Sequence, residues 1–123
     1  MCEDHAYNSL ANKPLQPIKE VVTVETMQLD KFIEENNISR VDVIKCDTEG
    51  AEYLVFKGSD NILRKYKPKL FFEYNPFVKG FMHKHDDVFL LLKKYGYEFY
   101  EFRNHTLCKV ENFNFQTNDI YAE

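Results

Sequence analysis

Two apolar runs in this chain end in acids. Val41-Asp42-Val43-Ile44-Lys45-Cys46 runs into Asp47-Thr48-Glu49, and Leu70-Phe71-Phe72 runs into Glu73-Tyr74-Asn75. Carboxylates brought to one place can take a proton from a hydroxyl or hold a substrate by hydrogen bonds. Asp47, Glu73 and Asn75 also offer the hard oxygen ligands that Mg²⁺ prefers, but no spacing fixes an octahedral set and no metal site is assigned. Plain structural roles compete with these. Asp47 or Thr48 would cap a following helix, Glu49 would suit its positive end, and Glu52 would be an exposed helix residue. His83 and His85 stand one residue apart in a loop with Phe77, Phe81 and Met82. With no further His or Cys nearby, the pair reads as solvated; the functional alternative is a loop that shields a cleft from water.

The elements that must position these residues follow from periodicity. Residues 1–20 carry Pro14 and Pro17 and read as a loop or severed connection. Val21-Val22-Thr23-Val24-Glu25 is β-branched and predicts a short strand. Leu29, Phe32 and Ile33 recur at helical spacing up to Asn36-Asn37. A strand over 41–47 is followed by a helix from Ala51 to about Tyr66, with Leu54, Val55, Gly58, Ile62, Leu63 and Tyr66 as its apolar face. Pro68 closes that helix, and Leu70–Phe72 is a second strand. Asp86 or Asp87 caps the next helix, whose apolar face is Val88, Leu91, Leu92 and Tyr95, and Gly96 ends it. Tyr97–Phe102, Leu107–Val110 and Ile120–Ala122 are strand candidates, with a hairpin turn at Arg103-Asn104-His105. Two short strands joined through a helix must pair in parallel by a right-handed crossover. Such strands are expected to be buried on both faces, as in half of a doubly wound α/β sheet. Ligands of such sheets bind beyond the carboxyl ends of the strands, where the acids lie.

Composition narrows the function classes. The 123 residues make one domain or a piece of one, and a hydrophobic fraction of 44% suffices for a core. The net charge is -4, with 20 acidic and 16 basic residues intermixed, so no phosphate-reading basic face is expected and nucleic acid is not a partner. The densest basic stretch, Arg64, Lys65, Lys67 and Lys69, reads as a solvated helix end. Cys2, Cys46 and Cys108 are odd in number and far apart, which excludes a disulfide framework and a CxxC metal knuckle. No apolar run nears the ~18 residues needed to cross a bilayer, and the N-terminus lacks a signal peptide's regions. A soluble chain in a reducing, cytoplasmic compartment, with no membrane partner, is the expectation.

The run Ile44-Lys45-Cys46-Asp47-Thr48-Glu49-Gly50-Ala51-Glu52 is similar to the IKIDVEGAE signature of FkbM-type methyltransferases. Thr26-Met27-Gln28-Leu29-Asp30 resembles that family's T-x-LD element, and Phe56-Lys57-Gly58 its LKG. Pro68-Lys69-Leu70-Phe71-Phe72-Glu73 resembles its P-x-(apolar)-E strand, Leu92 through Tyr97 its L-x-x-x-GY, and Asn118-Asp119-Ile120-Tyr121-Ala122 its closing strand. The order and spacing of these elements over roughly residues 20–122 carry the resemblance.

The resemblance implies an α/β chain with a partial Rossmann-like class-I methyltransferase fold: parallel strands, crossover helices and antiparallel C-terminal strands, with residues 21–123 as the C-terminal half of the domain. It implies transfer of a methyl group from S-adenosylmethionine to an oxygen of a sugar, glycan or natural product. Asp47, Glu49 and Glu73 are the expected catalytic residues, with Glu49 as general base or substrate hydrogen-bonder. Asp47 would also meet the cofactor's sulfonium side, and Asn75, Glu52 and His83 the substrate. The family's Gly-rich cofactor turn has no counterpart, because Gly50, Gly58, Gly80 and Gly96 stand apart. Tyr7-Asn8-Ser9-Leu10-Ala11 resembles the stretch after the family's third strand, so the cofactor half is expected upstream of Met1. Weak or absent binding of S-adenosylmethionine follows, with an open edge on the 41–47 strand for pairing with another chain. Two other classes remain: a non-catalytic remnant or binding module, and a carboxylate-metal hydrolase using Asp47, Glu49 and Glu73.

Overall fold

Runs of alternating polarity need a partner strand and a covering layer before they become a sheet, and five segments of this chain find both. In the computed structural model, which describes residues 20–74, 84 and 86–123, the order is α1 (Leu29–Glu35), β1 (Val43–Cys46), α2 (Glu52–Lys57), α3 (Asp60–Lys65), β2 (Lys69–Glu73), α4 (Asp87–Lys94), β3 (Phe99–Arg103), β4 (Thr106–Val110) and β5 (Asp119–Ala122). The sheet order is β1-β2-β5-β3-β4. β1 and β2 are parallel, with Val43 beside Lys69 and Cys46 beside Phe72. The pairs β2–β5, β5–β3 and β3–β4 are antiparallel. Asn104 and His105 both take positive φ, 47° and 62°, as a tight two-residue hairpin between β3 and β4 requires. No helix among the described residues is long and apolar enough to cross a membrane.

Several expectations are corrected. Residues 21–25 form no strand, and Val21, Val22 and Val24 are exposed. β-Branched composition favours a strand only where a neighbour completes the ladder, and no described strand lies beside this run.

The helix expected from Ala51 to Tyr66 is two helices. The Gly58 carbonyl accepts the Asp30 N–H at 3.0 Å, and a Cβ at Gly58 would touch Gln28 at 3.4 Å. The Asp30 carboxylate then receives the Asn61 and Ile62 N–H groups, at 2.8 and 3.1 Å, and caps α3 from 31 residues away. The break changes the phase of the buried face. Phe56 is buried, whereas Leu54 is exposed.

The third correction concerns the sheet's faces. Burial alternates along β1 and β2 instead of running continuously. Ile44, Cys46, Leu70, Phe72, Ile120 and Ala122 meet the helical layer. By register, Val43, Phe71, Phe102 and Leu107 share the opposite face, and all four are exposed. The described helices cover one side only.

The covered side is centred on Phe89 of α4, which the expected apolar face left out. Its ring lies 4.7 and 4.8 Å from Phe115 and Phe113, 4.8 Å from Tyr74 and 5.2 Å from Phe99. Neither Asp86 nor Asp87 caps α4 in the ordinary way; Asp87 instead accepts the Lys84 N–H at 2.8 Å. Gly96 ends the helix as expected, at φ 84°. The basic stretch from Arg64 to Lys69 is solvated, as expected.

One buried charge ties the far end of the sheet to the loop before β5. Glu101 is fully buried, and its Oε2 accepts the Gln116 and Thr117 N–H groups at 2.7 and 3.0 Å. Its Oε1 accepts the Arg103 Nε–H at 2.6 Å. Burial by itself would raise this carboxyl's pKa. The Gln116 N–H, the Arg103 guanidinium and the Thr117 N–H outweigh it, and the net shift is downward.

Because the folded pKa is depressed, the stabilisation is present above the unfolded value and lost as pH falls through the folded one. Glu101→Ala would strand Arg103 and the Gln116 and Thr117 N–H groups. It should cost about 3 kcal/mol in urea unfolding at neutral pH, and less in acid. An equal cost at both pH values would refute the assignment.

Candidate active site

Parallel, in-register pairing of β1 with β2 decides where the acids go. Cys46 lies beside Phe72, so the next residues, Asp47 and Glu73, lie at the same end of the sheet. β5 runs antiparallel and brings Asp119 opposite Glu73. The turn after β1 adds Glu49, whose φ of 52° lies in the left-handed region. One carboxylate oxygen from each of Asp47, Glu49 and Glu73 lies within 4.8 Å of the others. Asp47 is exposed, and the other two are half-buried.

Asp47 and Glu73 rim a groove of about 380 Å³ on the open face of the sheet. Phe71, Phe102 and Tyr121 line its apolar part, with Lys45, Glu73 and Asp119 among its polar groups. An acid-rimmed, ring-lined groove suits a ligand with an apolar body and a cationic or hydrogen-bonding end.

The electrostatics follow from crowding. Burial, then Glu49 and Asp47, a side-chain hydrogen bond with Asp47, and Asp119 push the Glu73 pKa up. Burial, then Asp47 and Glu52, push Glu49 up as well. Neighbouring carboxylates resist simultaneous ionisation, and a proton between two of them relieves the repulsion. The Cys46 thiol lies just below, buried and pushed up to about 12 by desolvation, which leaves it a poor nucleophile.

The expected catalytic trio therefore lies together. Glu52 differs from its expectation as an exposed helix residue or substrate contact. It is 6% exposed, and its Oε1 accepts the Thr48 N–H and Thr48 hydroxyl, both at 2.8 Å, and the Gly50 N–H at 3.3 Å. Asp47 and Thr48 do not cap α2 either; Ala51 holds the N-cap position without a side-chain bond. Asn75, His83 and His85 lie outside the described residues, as does most of their loop.

Asp119 was missed as a site residue. Its signal was present, since an acid opening an antiparallel strand lands beside acids that close parallel ones, but it needs the strand order to be read.

Three carboxylates this close could hold a hard cation, and they offer charge complementarity to a sulfonium. The described residues offer no Gly-rich turn for the rest of S-adenosylmethionine. Gly50 and Gly96, the positive-φ glycines, sit in separate turns.

A family model described as Methyltransferase FkbM domain matches residues 3–99. No curated protein and no solved structure matches the chain.

Crowded acids lower stability where they are charged. With its pKa raised on folding, Glu73 costs stability as pH climbs from the unfolded to the folded value, and the cost persists above it. Glu73→Gln should therefore raise the unfolding free energy at neutral pH by roughly 0.5 kcal/mol, with the gain disappearing in acid. Calorimetric melts at both pH values would check this, and a destabilised variant at neutral pH would contradict the crowding.

Proposed function

This chain belongs to the FkbM methyltransferase family, and on that premise we propose that it moves a methyl group from S-adenosylmethionine to a hydroxyl oxygen of a sugar or natural product. The observation that carries the reading is the meeting of Asp47, Glu49 and Glu73 at one end of two parallel strands. Five strands in the order β1-β2-β5-β3-β4 fit the later part of a Rossmann-like class-I methyltransferase domain.

S-adenosylmethionine, when bound, supplies a methyl already activated on sulfonium sulfur. The protein's remaining work is alignment and proton removal. Glu49, with its pKa raised, is the general base: a carboxylate shifted upward holds a hydroxyl proton better than an ordinary one. Glu73 beside it binds the acceptor and shares the proton load. Asp47, the most exposed of the three, would face the cationic side of the donor. The aromatic groove floor seats the acceptor's apolar part.

Turnover measured with labelled methyl donor should rise with pH along an acid limb set above the ordinary carboxylate range. That limb belongs to the cluster and not to one residue. Glu49→Ala should lower turnover by about 100-fold with little change in cofactor affinity. Full turnover in both Glu49→Ala and Glu73→Ala would end the proposal. Calorimetry on this chain should find S-adenosylmethionine binding no tighter than about millimolar, because its glycines form no cluster.

A second reading, a binding module, is favoured by the place of β1 at the end of the sheet order. Edge strands pair readily with other chains. Concentration-dependent association in light scattering that Val43→Pro abolishes would support it; a monomer at all concentrations would not.

A further inference from the structure

Glu49 is an unusual place for a left-handed backbone. A non-glycine residue with φ near 50° is disfavoured by contact between Cβ and the backbone, and it persists only where the surroundings impose it. The residues on either side of Glu49 are both gripped by the same oxygen. Glu52 Oε1 takes the Thr48 N–H and hydroxyl at 2.8 Å each, and the Gly50 N–H at 3.3 Å. One acceptor oxygen thus holds both flanks of the turn. Glu52 is itself anchored by the start of α2. Ala51 before it is 2% exposed, and Phe56 one turn on packs edge-to-face on Phe72 of β2 at 5.3 Å.

We propose that Glu52 is a positioning residue of the active site: its carboxylate clamps the 48–50 turn and thereby fixes Glu49 in the left-handed conformation beside Asp47 and Glu73. Core packing sets α2, α2 sets Glu52, and Glu52 sets the general base. The catalytic meaning of the clamp rests on the reading of Glu49 as that base, whereas the clamp is a statement about backbone geometry. A group doing this must keep both its reach and its acceptor oxygen; it does not need its charge. That separates positioning from two other roles, a generic buried contact and a purely electrostatic effect of Glu52 on Glu49.

The test is nuclear magnetic resonance on the labelled full chain with two opposed variants. Glu52→Gln keeps the reach and an acceptor oxygen and removes the charge. Glu52→Asp keeps the charge and shortens the arm by one methylene. Backbone chemical shifts and couplings report the φ of Glu49, and hydrogen exchange reports Thr48 and Gly50, with Phe72 and Ile120 as reference amides in the sheet. In Glu52→Gln the left-handed signature of Glu49 should remain. In Glu52→Asp it should be lost, and Thr48 and Gly50 should exchange about tenfold faster while Phe72 and Ile120 are unchanged. Retention of the Glu49 signature in Glu52→Asp would overturn the proposal, as would its loss in Glu52→Gln. Equal acceleration at all four amides would overturn it too, by showing a general loss of stability. None of these readings needs turnover, so failure of the clamp is distinguishable from failure of the proposed methyl transfer.

Discussion

Parallel pairing between β1 and β2 is the constraint on which the site depends. Two strands that point the same way must be joined by a crossover, and their carboxyl ends must then share one rim. The crossover here is α2 and α3, broken at Gly58, whose carbonyl accepts the Asp30 N–H of the preceding segment. Once the pairing is in register, Asp47 and Glu73 have no choice of address. Their mutual repulsion is a cost imposed by topology, tolerated because the core beneath holds the strands in place.

Much of this was legible in the amino-acid order. The strand ends at Asp47 and Glu73, the hairpin at Asn104-His105 and the stop at Gly96 are local chemistry, and local chemistry can be read in a line. What failed was non-local. Asp30 caps a helix 31 residues away, and no window of sequence contains both partners. The same remoteness hid the break between α2 and α3, and with it the exchange of Leu54 for Phe56 on the buried face. Residues 21–25 had strand composition but no strand neighbour. Continuous burial of β1 and β2 was inferred from apolar runs, yet Lys45 and Phe71 face the open side. The candidate site was legible in its acids at 47, 49 and 73. It was misread at Glu52, which belongs beneath the turn, and Asp119 stayed hidden until the strand order was known.

The two buried glutamates show how position changes the use of one side chain. Glu101 is surrounded by donors, and its charge is stabilised to the point that its pKa falls. Glu52 also accepts from several donors, and it stands within reach of other acids, adding to the upward push on Glu49. The first fastens a loop where no chemistry is expected. The second lies under the acids that make the rim, so rigidity and charge crowding are built at the same place.

β5 occupies the middle of the sheet although it comes last in the described order. β1 with β2, and β3 with β4, can each associate through contacts that are closer along the chain. Only β5 joins the two pairs, and its contacts with β2 close a loop of about fifty residues. Joining the two pairs therefore waits on a four-residue segment that closes this long loop, and folding of this chain should be slow for its size. On a ribosome, the groove could not take shape until that final stitch had emerged from the exit tunnel.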